Sequence, residues 1–214
     1  MKLYNFFRSS ASYRVRIALN WKGIHYEQVP IHLRRSGGEQ NTPEYKALNP
    51  QGLVPSLEDE GHVLTQSLAI IEYVEERYPE PPLLPHDPAD RATVRSMALA
   101  IACEVHPLQN LRVLNYLKNE LHHTEEEVNT WYRHWVARGL VALEQKVLAV
   151  PGRGRFCFGE TPSLADIFLV PQLYNARRFE CDLSACPTLV HIDETCRTLP
   201  AFADAVPENQ PDAE

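Results

Sequence analysis

The chain has 214 residues, of which 44% are hydrophobic, so it can bury the core of one large domain or two small ones, and disorder is not expected. Its formal net charge of -7 argues against a nucleic-acid partner, because such affinity comes mainly from Lys and Arg releasing counterions. The cations are nevertheless concentrated before Glu27, the first acidic residue; they are Lys2, Arg8, Arg14, Arg16 and Lys22. If this segment lines a site, that site should favour anions.

Signals for export or membrane insertion are missing from the sequence. The first ten residues lack the long apolar core and cleavage site of a secretory signal, and no run approaches the roughly 18 apolar residues of a membrane span. The cysteines form an odd and sparse set, unlike a disulfide framework; they are Cys103, Cys157, Cys181, Cys186 and Cys196. We therefore expect a cytoplasmic protein without membrane or nucleic-acid partners.

The first part of the chain predicts a small α/β domain. Residues 2–7 and 26–31 are predicted strands that flank a helical stretch ending at Gly23. A short helix near 43–48 precedes a predicted hairpin, 54–58 with 62–65, and a helix over 67–78. The resulting order is β-α-β-α-β-β-α over residues 1–80.

The rest of the chain predicts helices. Prolines between Pro79 and Pro85 cannot sustain a helix or a central strand, so 81–87 is predicted to be a linker. Residues 88–214 then show long helical periodicity with breaks near 122–123 and 151–152. The second domain is therefore predicted to be all-helical, with a mobile polar tail after Pro207.

Two serine-containing segments stand where predicted helices begin. Ser9 and Ser10 precede an apolar periodic run, so they either cap the helix or stabilise a thiolate through hydroxyl donors at its N-terminus. Gln66 and Ser67 likewise either cap the next helix or bind a carboxylate there. The pattern alone leaves both alternatives open.

Two other patterns indicate structure and not chemistry. Ser163 and Asp166 have the spacing of a capping box, which is a folding element. Cys181, Cys186, His191 and Cys196 follow one another at five-residue steps. Five helical steps rotate a side chain by about 140°, so the set cannot share one helix face, and we predict no metal site.

Several segments together resemble the zeta-class glutathione transferases in order and spacing. The resemblance covers nearly the whole chain, so it does not depend on a single weak motif. The segments are Ser9–Leu19, Ala47–Pro50, Leu53–Pro55, Gln66–Glu72, His106–Leu111, Ser163–Asp166, Leu169–Gln172 and Arg178–Phe179.

The resemblance implies a thioredoxin-like, glutathione-binding first domain, an all-α substrate-binding second domain and a homodimer. It also implies glutathione-dependent cis–trans isomerisation of a maleyl diacid, maleylacetoacetate or maleylpyruvate, in aromatic-compound catabolism. Ala11 stands where the family usually has Cys, so glutathione must supply the sulfur. The alternatives are a general glutathione transferase or dehalogenase that acts on other electrophiles, and a catalytically silent binding module.

The resemblance also implies the residues that bind glutathione. Ser9 would donate to its sulfur, with Ser10 and the positive charge of Arg14 assisting catalysis, and Val54, before an expected cis Pro55, would offer its backbone N–H and C=O. His106 would bind glutathione or assist proton transfer. The full implied set is Ser9, Ser10, Ala11, Ser12, Tyr13, Arg14, Gln40, Val54, Gln66, Ser67, His106, Asn110, Leu111 and Arg112.

Arginines are the candidate anchors for a dicarboxylate. Arg8 and Arg178 are the first choices and Arg112 a third, because the planar guanidinium binds a carboxylate bidentately, which lysine cannot do. Arg177 is interpreted as a solvated surface residue.

Overall fold

The computed structural model describes all residues, 1–214, and the chain folds into two compact units. The first unit is Met1–Pro82 together with Thr198–Glu214, and the second is Leu83–Arg197. The strands are β1 Lys2–Asn5, β2 Glu27–Pro30, β3 Ser56–Asp59 and β4 His62–Thr65. The helices are α1 Ser10–Trp21, α2 Pro43–Leu48, α3 Ser67–Arg77, α4 Pro88–Leu99, α5 Leu111–Asn119, α6 Glu125–Leu148, α7 Leu164–Arg178, α8 Pro187–Arg197 and α9 Pro200–Ala203.

The first unit contains a four-stranded mixed sheet in the order β2-β1-β3-β4. β1 is parallel to β2 and antiparallel to β3, so Leu3 pairs with Gln28 on one side and with Leu57 on the other. β3 and β4 form the predicted hairpin, in which Asp59 pairs with His62. The predicted order β-α-β-α-β-β-α is confirmed.

Local sequence explains where these elements stop and turn. α1 ends at Trp21, and the chain turns away at Gly23, whose φ of 65° lies in the left-handed region that glycine adopts without a steric penalty. The hairpin turn has positive φ at both Glu60 and Gly61, 47° and 81°, which is the two-residue turn that matches the twist of the flanking strands.

A buried cation helps to hold the first unit together. Arg16 is 0% exposed, yet its guanidinium donates to Asn5 Oδ1 and Phe7 O at 2.9 Å and to Ala205 O at 3.1 Å. A buried charge is tolerated when its donors are paired. Arg16 therefore ties α1 to the end of β1 and to the segment after α9.

The second unit is helical, as predicted, with breaks where the sequence placed them. α5 ends at Asn119 and α6 begins at Glu125, where Thr124 and Glu127 form a reciprocal capping box. The predicted box at the start of α7 is also present: the Ser163 N–H donates to Asp166 Oδ2 at 2.8 Å. The core includes Tyr132, Val136, Phe168, Leu189 and Ile192.

The last segment of the chain differs from the prediction. The sequence pattern assigned it to the helical domain, with a mobile tail after Pro207, whereas residues 198–214 belong to the first unit. Asn20 Nδ2 donates to Ala201 O at 3.2 Å and Gln28 Nε2 to Gln210 Oε1 at 3.1 Å. Polar side chains give no periodic signal for such contacts, which explains the difference.

The boundary between the units falls after Pro82, inside the predicted linker 81–87. The limits 1–80, 81–87 and 88–214 as functional domains stay a prediction. None of the helices combines the length and the apolar composition that crossing a lipid bilayer requires.

Candidate functional site

The start of α1 presents a hydroxyl group, that of Ser9, whose proton is not donated to any partner. Ser9 is the N-cap: its Oγ accepts the Ser12 N–H at 3.2 Å, and its C=O accepts the Tyr13 N–H at 2.8 Å. No hydrogen bond in the structure uses the Ser9 hydroxyl proton or the Ala11 N–H. Capping and donation to an anion are therefore compatible in Ser9, because they use its lone pair and its proton respectively.

The next residues of α1 turn inward. Ser12 and Tyr13 are 0% and 1% exposed, and Ser12 Oγ accepts the Phe6 N–H at 3.5 Å. These two side chains are part of the packing, and ligand contacts by them remain a prediction. Ser10 and Ala11 are also largely buried, but they occupy the first turn, where backbone N–H groups favour a bound anion.

Arg14 connects the starts of two helices. It is 1% exposed, and its guanidinium donates to Ser67 Oγ at 3.3 Å, so the first residue of α3 lies against the cation of α1. Its burial makes Arg14 a source of positive charge beside the start of α3, and direct contact of Arg14 with a ligand remains a prediction. Gln66, which precedes α3, is exposed with φ of 70° and donates from Nε2 to Gln51 Oε1 at 2.8 Å.

The Val54–Pro55 peptide is cis, as expected. Val54 is buried, and no hydrogen bond in the structure uses its backbone N–H or C=O. Buried backbone groups are nearly always paired in native proteins. A donor and an acceptor on one residue therefore stand ready for an extended peptide segment.

Gln40 lies in a loop that folds tightly on itself. Its Nε2 donates to Leu33 O at 3.4 Å, and its Oε1 is buried without a hydrogen-bond partner. A β-carbon on Gly38, where φ is 97°, would lie 2.5 Å from Gln40 Nε2, so only glycine lets the side chain fold back here. The Gln40 Oε1 is an acceptor that a ligand N–H could satisfy.

Arg8 carries a positive charge without an acidic neighbour. Its half-buried guanidinium stands 4.8 Å from the centre of the Phe7 ring and 6.0 Å from that of Phe6. Stacking on aromatic faces orients a guanidinium and leaves its N–H groups free to bind anions. No ion pair or hydrogen bond of the Arg8 side chain occurs in the structure, and Arg8 directly precedes Ser9.

The candidates of the second unit fall in a turn and at the start of a helix. His106 begins a short 3-10 turn, His106–Gln109, which follows one π turn, Ala100–Val105. Asn110 caps α5 by accepting the Arg112 N–H at 3.1 Å, and the Arg112 side chain is exposed.

A pair of amides and an indole fix this turn. Gln109 and Gln172 exchange hydrogen bonds through their buried side chains, and Trp131 Nε1 donates to Leu108 O at 2.8 Å. The turn that carries His106 is therefore held by both α6 and α7.

Arg178 is the last residue of α7. It is exposed, its guanidinium donates to Asn175 Oδ1 at 3.4 Å, and it lies 5.6 Å from the centre of the Phe179 ring. Arg177 is exposed, as interpreted, but it also makes an ion pair. Its NH1 lies 2.6 Å from Oδ2 of Asp193, a side chain that is 0% exposed, so Arg177 compensates a buried charge.

Four of the five cysteines are buried. All five are free thiols, and only Cys103 is exposed. Burial raises the pKa of Cys181 and of Cys186 to about 11, and thiols with raised pKa values are poor nucleophiles. No three potential metal ligands lie together anywhere in the chain.

The first unit thus offers a hydroxyl donor at a helix start, an unpaired backbone donor and acceptor at Val54, and an unpaired amide oxygen at Gln40. These groups fit a short extended peptide with a thiol or thiolate, and Arg8 adds a cation for a second anion. Sequence reasoning missed Asp212, whose Oδ2 accepts the Phe7 N–H at 3.0 Å. The polar tail carried no signal for this contact.

Comparison with known proteins gives a consistent result. Residues 3–82 match the family model described as glutathione S-transferase, N-terminal domain. A probable maleylacetoacetate isomerase of Vibrio cholerae is 52% identical over 99% of this chain and 97% of its own.

Solved structures agree with this match. The holo structure of a maleyl pyruvate isomerase, described as a bacterial glutathione S-transferase in zeta class, has a TM-score of 0.97 at 47% identity and covers 100% of both chains. A maleylacetoacetate isomerase of Methylobacterium extorquens, solved with bound malonate and glutathione, has a TM-score of 0.95 at 42% identity, again over 100% of both chains. With relatives this similar along its full length, the chain belongs to the zeta class of the glutathione transferases.

Proposed function

We propose that the protein is a glutathione-dependent isomerase that converts a maleyl diacid, maleylacetoacetate or maleylpyruvate, into its fumaryl isomer during aromatic-compound catabolism. The observation that carries the proposal is the unpaired Arg8 guanidinium directly beside Ser9 and its uncommitted hydroxyl proton. A site that joins a thiolate and an anionic substrate needs such a cation, because the two negative charges repel each other.

Glutathione fits the groups of the first unit. Ser9 would donate to its sulfur, Val54 would pair with its cysteinyl unit, and Gln40 would accept from the glycine end. Ser67, next to the Arg14 cation, would bind the γ-glutamyl carboxylate with Gln66. The chemistry that glutathione supplies is reversible addition of a thiolate to the cis double bond, which becomes single and free to rotate.

The residues of the chain would stabilise the thiolate and orient the substrate. Ser9 and the first N–H groups of α1 favour thiolate over thiol, and buried Arg14 adds positive potential from below. Arg8 binds a substrate carboxylate and offsets the negative charge that develops next to it. Preorganised donors of this kind contribute most where charge grows in the transition state.

The second unit is proposed to supply further contacts. Arg178 and Arg112 would bind the distal carboxylate, and His106, Asn110 and Leu111 would add to glutathione binding. The exposed side chains of Arg178 and Arg112 are able to meet a ligand. For His106 we propose a binding role, because its turn is firmly held and the reaction regenerates glutathione without net proton transfer.

A direct assay tests the proposal. Purified protein is incubated with maleylacetoacetate or maleylpyruvate, with and without glutathione, and both the fumaryl product and the remaining glutathione are quantified. Both substrates are used because they share the maleyl end that Arg8 would bind. The proposal predicts catalytic turnover only with glutathione, and an unchanged glutathione concentration.

Other outcomes would favour other functions. Stoichiometric loss of glutathione into a conjugate would indicate a general transferase or a dehalogenase. Failure to bind glutathione would indicate a silent module.

We further propose a homodimer that works in the cytoplasm. The five free cysteines suit a reducing compartment, and solved relatives belong to a superfamily in which dimers are usual. Light scattering coupled to size exclusion would test the dimer, which should have twice the 24.4 kDa mass of the chain.

A further inference from the structure

The last residues of the chain form a strap across the first unit. We call residues Pro207–Glu214 the C-terminal strap. Gln210 anchors it: its side chain is 6% exposed, donates to Val206 O at 2.7 Å and to Asp204 O at 2.9 Å, and accepts from Gln28 Nε2 at 3.1 Å. A buried amide with three partners fixes the path of the strap.

One carboxylate of the strap holds the turn before α1. Asp212 Oδ2 accepts the Phe7 N–H at 3.0 Å, while the Phe7 C=O accepts from Arg16 at 2.9 Å. The Phe7 residue is therefore fixed from both sides of its backbone. Arg8 and Ser9 follow directly, and the Arg8 guanidinium rests on the Phe7 ring, so the position of Phe7 sets the positions of both.

The second carboxylate holds the start of the loop that carries Gln40. Glu214 Oε1 lies 3.3 Å from His32 Nε2 and also pairs with Arg35. His32 Nδ1 accepts the N–H groups of Arg34 and Arg35 at 3.1 and 2.8 Å, so its ring proton is on Nε2, the nitrogen that faces the Glu214 carboxylate.

The backbone of His32 in turn holds Glu39, the residue before Gln40. Its N–H donates to Glu39 Oε2 at 2.6 Å, and its C=O accepts the Glu39 N–H at 2.8 Å. Gln40 is the next residue. The Glu214 carboxylate is thus linked through His32 to the base of Gln40.

We propose that the C-terminal strap is a positioning element of the glutathione site, in which Asp212 sets the Arg8–Ser9 turn and Glu214 sets the loop of Gln40. Neither carboxylate touches the ligand. The strap acts by keeping two separate loops in the geometry that one glutathione molecule needs, since a group fixed before binding loses less entropy on binding. This inference rests on the proposed function.

The test compares Asp212→Ala with Asp212→Asn. Alanine leaves the Phe7 N–H without an acceptor, whereas asparagine keeps an acceptor oxygen and removes only the charge. We expect Asp212→Ala to weaken glutathione binding by about five- to tenfold, the net effect of one hydrogen bond. Asp212→Asn should stay within about twofold of the wild type.

Asp204→Ala is the matched control. It removes an acidic side chain that lies three residues before the strap, is exposed and makes no hydrogen bond or ion pair in the structure. Dissociation constants are measured by titration calorimetry well below the unfolding temperature. Ultraviolet absorbance of the bound thiolate against pH gives the thiol pKa, which should rise in Asp212→Ala because Ser9 is displaced, and stay unchanged in Asp204→Ala.

A second pair of variants, at Glu214, keeps the inference testable if Asp212→Ala does not fold. Glu214→Ala should weaken glutathione binding without changing the pKa of the bound thiol, because it loosens only the Gln40 loop, and Glu214→Gln should bind more tightly than Glu214→Ala. Glutathione affinity equal to the wild type in folded Asp212→Ala, or in Glu214→Ala, overturns the inference, even if the melting temperature falls. Wild-type protein that binds no glutathione overturns the proposed function together with it, so the two failures are distinguishable.

Discussion

The double role of Ser9 can be separated by three substitutions. Ser9→Ala removes both the cap oxygen that accepts the Ser12 N–H at 3.2 Å and the hydroxyl proton proposed for the thiolate. Ser9→Gly also lacks the hydroxyl, but glycine is a good N-cap. Ser9→Thr keeps both functions. Stability and catalysis should therefore respond differently across the three variants.

The expected magnitudes follow from these two contacts. Loss of the cap should lower the free energy of unfolding by about 1 kcal/mol in Ser9→Ala, but by only a few tenths in Ser9→Gly. Loss of a charge-assisted hydrogen bond to the thiolate should cost about 1.5–3 kcal/mol in both. This corresponds to roughly ten- to 150-fold in turnover, or to a rise of about one to two units in the pKa of bound glutathione.

The assay combines unfolding curves with saturation kinetics and thiolate absorbance. Ser9→Gly should be nearly as stable as the wild type and nearly as inactive as Ser9→Ala, with a smaller change in glutathione affinity than in turnover. Ser9→Thr should retain most activity. If activity instead follows stability, so that Ser9→Gly turns over like the wild type, Ser9 only caps the helix. If Ser10→Ala is the damaging change and Ser9→Ala is silent, the roles belong to Ser10.

Three further outcomes are expected. Isomerisation should require glutathione strictly, since Ala11 leaves no thiol at the start of α1; full turnover of glutathione-free enzyme in thiol-free buffer would contradict this. Arg8→Met and Arg178→Met should each raise the Michaelis constant for the dicarboxylate far more than that for glutathione, and should spare conjugation of a neutral electrophile such as chlorodinitrobenzene; equal loss of both activities would contradict a carboxylate-binding role. Arg177→Met should lower the free energy of unfolding by about 3 kcal/mol, the low end for a broken buried pair, because Arg197 remains 4.0 Å from Asp193, whereas Arg177→Lys should lower it less. Burial raises the pKa of Asp193 and Arg177 opposes that rise, so in the folded variant this pKa should lie further above that of the unfolded chain than it does in the wild type. The stability deficit of the variant should therefore shrink as the pH falls; a deficit that grows on acidification would contradict this.

The elements of the fold could be predicted from the sequence because their determinants are local. Gly23 turns the chain away after α1, Glu60-Gly61 forms the hairpin turn, and Ser163 with Asp166 caps α7. Each of these signals lies within a few residues of the structure it specifies, where capping and turn chemistry act. The family resemblance also rested on short segments, and the comparisons confirmed it.

Contacts between distant residues were decided only by the tertiary structure. The sequence marked Arg14 and Arg16 as cations near a site, but both are buried, one against Ser67 and the other holding Phe7 and Ala205. Arg177, which the pattern treated as solvated, compensates Asp193 on another helix. Nothing in periodicity identifies such partners, because a buried charge selects its counterpart by proximity in space.

The end of the chain is the clearest example of a contact that the sequence alone does not identify. A polar segment after Pro207 has the composition of a mobile tail, yet Asp212 accepts the Phe7 N–H from across the sequence. The contact satisfies a backbone donor that β1 leaves unpaired when the strand ends at Asn5. The sequence alone determined which elements form and where they stop, whereas the packing of the first unit determined which distant carboxylate completes the turn before Ser9, because backbone groups must find partners wherever the fold brings them.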